Sequence, residues 1–316
     1  MMANSYLEML FKYPEQLGWP ILMGLLVSSA CALVGCFLML RRMALVGDAI
    51  SHSVLPGVVI AFMISKSRDS VWIFLGALVA GILTTVMIEV IHARTRVKED
   101  AAIGITFTTL FSIGVILISL YGGRVDLDLD CILYGKLDVA FAATESGAWL
   151  PPRIFFMLMV ALAVGALLIA FFKELVVCSF DDGLAASLGL NPGLFHFGLM
   201  CVLSLTVVAG FEAVGAVLVV AMLILPGATA LLLVDRVPPM LGLSLIHALL
   251  STIGGAVVAY HMNWPSAAAM VVVGSALFAL AWLASPRDGL MRRWFAKSQS
   301  PNLTTPAPAS KMELDL

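Results

Sequence analysis

The apolar residues of this chain are gathered into long runs, and short polar segments separate one run from the next. A helix that crosses a membrane needs roughly 20 consecutive, mainly apolar residues. Nine runs approach that length, and they occupy residues 19–40, 46–64, 71–91, 101–120, 152–172, 194–211, 216–234, 240–260 and 264–283. The pattern predicts an all-α, polytopic membrane helical bundle with about nine transmembrane helices. One alternative stays open, because runs six and seven could form a single span or a re-entrant hairpin around residues 212–215.

Composition supports a membrane location. Hydrophobic residues make up 61% of the 316 positions and charged residues only 12%, whereas soluble domains have about 45–50% and about 25%. Folding in water would leave too much apolar surface exposed, so the composition excludes a cytosolic enzyme, a disordered chain and a secreted disulfide scaffold. The net charge of −2 gives no reason to expect nucleic-acid binding.

Basic residues predict the orientation of the bundle. If Arg41 and Arg42 face the cytoplasm, 12 of the 18 Lys and Arg residues lie on that side and 6 lie outside. Because cytoplasmic loops carry the excess of Lys and Arg, we expect the N-terminus outside and the C-terminus in the cytoplasm. Residues 1–18 are then an amphipathic stub and residues 19–284 the transmembrane domain. Residues 285–316, which lack an apolar period, form a disordered cytoplasmic tail.

Two connecting segments are longer than turns. The outer segment, residues 121–151, carries three alternating acids, Asp126, Asp128 and Asp130. The inner segment, residues 173–192, reads as a loop that contains a short helix at about 180–190. A Ser or Asp side chain can cap the start of this helix, and Gly189 suits the position after its end. It could contact a soluble partner, or it could be a plain loop helix.

An acid and an imidazole stand inside the second run. Asp48 and His52 are four residues apart, so both project from one face of a helix. A carboxylate oxygen and an imidazole nitrogen on adjacent turns can bind one first-row divalent metal ion, although a hydrogen-bonded pair that locks the bundle is the alternative. Ser51 and Ser53 add hydroxyl groups near the pair. Pro56 and Gly57 would kink the helix beside a pathway for the ion.

Other titratable residues in or near spans carry weaker signals. Glu212 lies at the predicted outer turn and His247 in the middle of the eighth run. Each is a candidate metal ligand. The alternative for Glu212 is a solvated acid in a turn, and the alternative for His247 is a structural histidine. Glu89, His92 and His196 lie near predicted cytoplasmic span ends, where side chains reach the interface, and we expect them to be interfacial.

Motifs for ATP hydrolysis and for hydrolytic catalysis are missing from the sequence. It contains no G-x-x-x-x-G-K-[ST] phosphate-binding loop, no H-E-x-x-H and no G-x-S-x-G elbow. The chain is therefore not expected to be an enzyme.

The segment RRMALVGDAISHSVLPG at residues 41–57 resembles the permeases of bacterial manganese/zinc/iron ABC importers. The resemblance extends over about residues 15–285. It continues through DAAIGI at 100–105, ILYG at 132–135, FDDGLAASLGL at 180–190, AVGAVLVVAMLILPGATA at 213–230 and NWPS at 263–266.

This resemblance implies a permease in the bacterial inner membrane that carries manganese, zinc or iron and has no permanently bound cofactor. It implies a second permease copy or paralogue, a separate cytoplasmic ATPase that uses the ATP, and an outer metal-binding protein. Asp48 and His52 would lie on the metal route, and the acidic outer loop is a candidate docking site for the binding protein. The implied ATPase-coupling residues are Phe180, Asp181, Asp182, Gly183, Leu184, Leu188 and Gly189.

Two other functions stay open at this point. A proton-coupled secondary metal transporter could use Asp48 or Glu212 as its relay, although such proteins usually contain internal repeats. A membrane assembly or receptor subunit would have no ion pathway at all.

Overall fold

The computed structural model of the chain describes residues 18–65, 70–121 and 151–285, and within them the backbone forms helices and turns without any strand. Residues 1–17, the loop acids Asp126, Asp128 and Asp130, and the tail after residue 285 lie outside the described residues. Numbered in chain order, the helices are α1 (Trp19–Leu40), α2 (Val46–Ser53), α3 (Leu55–Ser65), α4 (Ser70–Arg94), α5 (Glu99–Tyr121), α6 (Pro152–Ala170), α7 (Phe172–Phe180), α8 (Asp182–Ser187), α9 (Pro192–Val214), α10 (Ala216–Leu233), α11 (Val237–Met262) and α12 (Ser266–Ala284).

The described part contains nine segments that are long and apolar enough to cross a membrane, with α2 and α3 together forming the span Val46–Ser65. The predicted all-α bundle of about nine spans is therefore confirmed, and the chain is a multi-pass membrane protein. Runs six and seven are the separate helices α9 and α10, joined by Gly215 at φ +89°, a conformation that suits glycine. Gly210 of α9 lies against Val219 of α10, so these helices fold back on each other and the single-span alternative is wrong.

The core is built around α1. Within its span 67% of the residues are buried, against 28–50% in the other spans, as expected for a helix that is apolar on every side. It packs against α6, α9, α10 and α11. At Gly35 a Cβ would overlap the carbonyl oxygen of Leu223 in α10, so this close approach requires glycine.

One predicted loop is a helix. The sequence predicts irregular structure from residue 173 to the short inner helix, but α7 covers Phe172–Phe180 and follows α6 after a break at Phe171. Leu175 and Cys178 are buried and three residues apart, so one face of α7 packs on the bundle. The short helix α8 follows directly, and it lies inside the predicted range 180–190.

Candidate functional site

The helix that carries Asp48 and His52 is short because the chain breaks after it. α2 ends at Ser53 and α3 begins at Leu55. Pro56 has no N–H, so it cannot donate to the carbonyl of His52 as a helical residue would. The break thus removes one helical hydrogen bond from His52, directly beside the acid–imidazole pair.

Asp48 and His52 lie close to each other without a good hydrogen bond. The distance from His52 Nε2 to Asp48 Oδ1 is 3.6 Å, which is longer than a side-chain hydrogen bond. Their side chains are 48% and 37% exposed. The pair is therefore open on one side and is not a tightly bonded pair that locks the bundle.

Two aromatic rings of α5 flank the imidazole. The centroid of the His52 ring lies 5.5 Å from that of Phe107 and 5.9 Å from that of Phe111. These rings limit the directions that the imidazole can take, while its exposed fraction shows that one edge stays accessible. The candidate site is thus formed by α2 and lined on one side by α5.

The serines that flank His52 have a structural role. Ser51 Oγ donates to the carbonyl of Gly47 at 2.8 Å, and Ser53 Oγ lies 2.7 Å from Thr84 Oγ1 of α4. Both serines are buried. Both hydroxyls therefore bond within the protein: that of Ser51 within α2, and that of Ser53 between α2 and α4.

Glycines allow α3 to approach α4 closely beyond the break. A Cβ at Gly57 would overlap the carbonyl oxygen of Gly76, and a Cβ at Gly76 would overlap Ala61. Gly47 of α2 likewise lies against Leu223 of α10. Close packing at these glycines, in α2 and in the helix that follows it, therefore helps to position the Asp48–His52 pair.

The other candidate ligands do not join this pair. Glu212 is exposed in the last turn of α9, and His247 is 4% exposed in α11, where its Nε2 has no hydrogen-bond partner among the described residues. Over residues 18–65, 70–121 and 151–285, no three His, Cys, Asp or Glu side chains lie together as a possible metal site. In a single chain the described site therefore offers two candidate ligands, Asp48 and His52.

The segment that the sequence singles out for ATPase coupling forms a small, capped structure outside the candidate spans. The Asp181 carboxylate accepts a hydrogen bond from the N–H of Leu184 at 3.0 Å, and Gly189 takes a φ of +79° after the helix. Three apolar side chains spaced four residues apart are exposed: Phe180 at 65%, Leu184 at 50% and Leu188 at 62%. We call residues 180–190 the coupling segment.

A polar network that the sequence analysis missed joins several helices where α1 ends, and we call this end of the bundle the Arg41 end. Arg41 Nε donates to Ser179 Oγ at 3.2 Å, and Nη2 donates to the carbonyl of Cys178 at 3.3 Å. Its Nη1 lies 2.8 Å from His196 Nδ1, and His196 Nε2 lies 3.1 Å from Glu89 Oε2. His196 and Glu89 are therefore partners in a network, rather than separate interfacial groups.

The network borders a cavity of about 420 Å³ at the Arg41 end. Burial lowers the pKa of the Arg41 guanidinium, but arginine titrates so far above neutrality that it stays charged. In the sequence, this network is indicated only by the topology of the chain, because alternating spans bring Arg41, Glu89 and His196 to the same end of the bundle.

Comparison with known proteins gives the same family that the motifs indicate. Residues 14–285 match the ABC 3 transport family. The chain is 43% identical over 280 residues to the manganese transport system membrane protein MntD of Bacillus subtilis, covering 87% of this chain and 94% of that protein. It is also 43% identical over 275 residues to the zinc transport system membrane protein TroD of Treponema pallidum, covering 86% of this chain and 75% of that protein.

A solved structure has a similar fold. PsaBC from Streptococcus pneumoniae, determined in complex with a Fab, superposes with a TM-score of 0.76 at 32% sequence identity and covers 93% of this chain and all of that one. The sequence match, the relatives and the shared fold agree over the whole membrane domain, and the chain belongs to the ABC 3 transport family.

Proposed function

We propose that this chain is the membrane permease subunit of an ATP-driven importer of a divalent transition metal ion in the bacterial inner membrane. The observation that carries the proposal is the open Asp48–His52 pair on a broken helix inside a span. Charged groups within spans are costly and usually serve transport. Relatives named for manganese and zinc transport support this class of cargo.

Two ligands are too few to replace the water shell of a metal ion, since zinc takes four ligands and manganese about six. A second copy or a paralogue that presents the same pair would supply four protein ligands. We therefore place the ion between two permease chains, with Asp48 and His52 of each facing it. The half-exposed pair in the single chain fits such a shared site.

The chemistry of the pair suits an ion that must pass through. The carboxylate of Asp48 favours manganese and the imidazole of His52 favours zinc, while the remaining positions can keep water. Such binding is strong enough for entry and weak enough for release. Protons compete for both groups, so acidification on the loading side should weaken metal binding.

The coupling segment is our proposed docking surface for the ATPase. Phe180, Leu184 and Leu188 are exposed outside the candidate spans, where lipid does not cover them. Burying one leucine side chain is worth about 1.5–3 kcal/mol. Because the positive-inside rule assigns the Arg41 end to the cytoplasm, this surface would face a cytoplasmic partner.

The function can be tested with the permease, its ATPase and its outer binding protein reconstituted in vesicles. We expect uptake of Mn²⁺ or Zn²⁺ only with ATP, and loss of uptake when the ATPase cannot hydrolyse ATP. Uptake driven by a proton gradient without ATP would contradict the proposal and favour a secondary transporter. Absence of uptake together with absence of an associated ATPase would favour an assembly or receptor subunit.

Docking has its own test in Leu184→Ser. Leu45, which is 54% exposed at the Arg41 end but outside the coupling segment, offers the matched control Leu45→Ser. We expect about tenfold weaker ATPase binding for Leu184→Ser, since 1.4 kcal/mol is tenfold in affinity, and little change for Leu45→Ser. Equal affinities of both variants in a pull-down titration would show that the ATPase binds elsewhere.

A further inference from the structure

Arg41 connects three other helices at the point where the chain leaves α1. The three nitrogens of its guanidinium group face Ser179 and Cys178 at the end of α7 and His196 in the first turns of α9. His196 in turn contacts Glu89 near the end of α4. One half-buried side chain therefore joins the segment before α8 to helices of the membrane bundle.

The donors and acceptors of this network fit only one arrangement of protons. A guanidinium can donate hydrogen bonds but cannot accept them. His196 Nδ1 must therefore accept from Arg41, which leaves the imidazole proton on Nε2, facing Glu89 Oε2 at 3.1 Å. Each donor has an acceptor, so the geometry of Arg41 is defined by several directional bonds at once.

On one side, the network reaches the coupling segment directly. Cys178 and Ser179 immediately precede Phe180, the first residue of the exposed apolar surface. A displacement of the coupling segment that carries the end of α7 with it would move the groups to which Arg41 donates, or break those bonds.

On the other side, the network reaches the Asp48–His52 pair through a short connection. Arg41 and Asp48 are seven residues apart. Between them the N–H of Met43 donates to the carbonyl of Leu38 at 3.0 Å, and that of Val46 donates to Met43 at 3.3 Å. Met43 and Val46 are 5% and 1% exposed, so two side chains pack the connection against the bundle, although Arg42 and Leu45 are exposed.

From these contacts we propose that Arg41 is a positioning residue that transmits movement of the coupling segment to Asp48 and His52. This role rests on the proposed transport function. Arg41 does not touch the ion; its side chain links α7 to α1, and α1 continues into the packed connection that carries α2. Loss of the guanidinium should therefore uncouple ATP hydrolysis from ion transport. Binding of the metal ion and of the ATPase should be retained.

The test is the number of metal ions transported per ATP hydrolysed by the full complex in vesicles. For Arg41→Gln we expect a ratio about tenfold lower, within the 5–150-fold range of typical coupling energies, with Kd values for metal and ATPase within about twofold of the original. Arg41→Lys should give an intermediate ratio, because an ammonium cannot span all the partners of the planar guanidinium. The exposed neighbour provides the charge-matched control Arg42→Gln, which should keep the original ratio.

A merely structural role would lower hydrolysis and transport together and leave the ratio unchanged, and that result would overturn the proposal. If Arg41→Gln does not assemble, Ser179→Ala decides the question, because it removes one bond to Arg41 without changing charge; an unchanged ratio there would also overturn it. Asp48→Ala separates this failure from that of the proposed function. Loss of transport in Asp48→Ala with a normal ratio in Arg41→Gln refutes only the role of Arg41. Normal transport in Asp48→Ala refutes the Asp48–His52 site, and absence of ATP-dependent uptake by the unaltered complex refutes the function itself.

Discussion

The pair Asp48–His52 and the pair Glu89–His196 both join an acid to an imidazole, yet the protein treats them differently. In the first, the closest atoms are 3.6 Å apart and both side chains are more than one third exposed. In the second, the distance is 3.1 Å, and the other nitrogen of the imidazole is bound to Arg41. The imidazole of the first pair keeps an accessible edge, whereas both nitrogens of the His196 imidazole have partners inside the protein.

The difference indicates separate tasks for the same chemical groups. A ligand for a passing ion must leave lone pairs free, because every internal hydrogen bond competes with the ion. A connection between helices needs the opposite, since directional bonds of a charged group fix geometry. Substitutions in the open pair should therefore affect metal binding more than substitutions in the contacts that hold the pair in place.

Removal of either group of the open pair should have the largest effect. Loss of partners that only orient a ligand already costs 10–100-fold in metal affinity, so Asp48→Ala or His52→Ala should lower affinity at least about a hundredfold. Metal titration of the purified complex measures this, with Glu212→Gln as the comparison. A larger loss in Glu212→Gln than in Asp48→Ala would place the ion elsewhere.

A larger residue at the close contact between α3 and α4, which follows the Asp48–His52 helix, should have an intermediate effect. In Gly57→Ala the new methyl group would overlap the carbonyl oxygen of Gly76 and lie 2.6 Å from the Cβ of Ala80. Overpacking of this kind costs about 1–3 kcal/mol, so thermal unfolding in detergent should occur at a lower temperature. Gly104→Ala is the control, because no atom lies within 4 Å of its Cβ position; equal melting temperatures for both variants would argue against the close contact of α3 and α4.

Removal of the side-chain hydrogen bond between α2 and α4 should have the smallest effect. Ser53→Ala removes the bond to Thr84, while the Thr84 hydroxyl still donates to the carbonyl of Ala80. The expected loss is about 1 kcal/mol of stability, with metal affinity reduced less than tenfold. Ser112→Ala, which removes an exposed hydroxyl bonded within α5, should change neither. A hundredfold loss of affinity in Ser53→Ala would instead indicate that this hydroxyl binds the ion.

Much of the fold could be predicted from the sequence, because each span carries its own signal. Apolar runs gave the nine spans, and the turn between α9 and α10 lies where Gly215 allows a positive φ. The capped helix α8 was predictable from Asp181 and Gly189, which act locally. The helix α7 was missed because it is short, and its helical character shows mainly in the burial of Leu175 and Cys178.

The site was predictable only in part. Spacing alone places Asp48 and His52 on one face of a helix, but whether that face is open depends on the packing of α5 and its aromatic rings. From the sequence, the hydroxyls of Ser51 and Ser53 could have lined the ion site. In the structure they are buried and bond to Gly47 of α2 and Thr84 of α4. The bond between Arg41 and His196 joins positions 155 residues apart, and no local pattern predicts such a pairing.

The central claim, that Asp48 and His52 bind the transported ion directly, can be tested by pulsed electron paramagnetic resonance of the Mn²⁺-loaded complex. Our account predicts that the manganese couples to imidazole nitrogen, that His52→Ala abolishes this coupling and that His247→Ala leaves it intact. Nitrogen coupling that persists in His52→Ala would contradict the account.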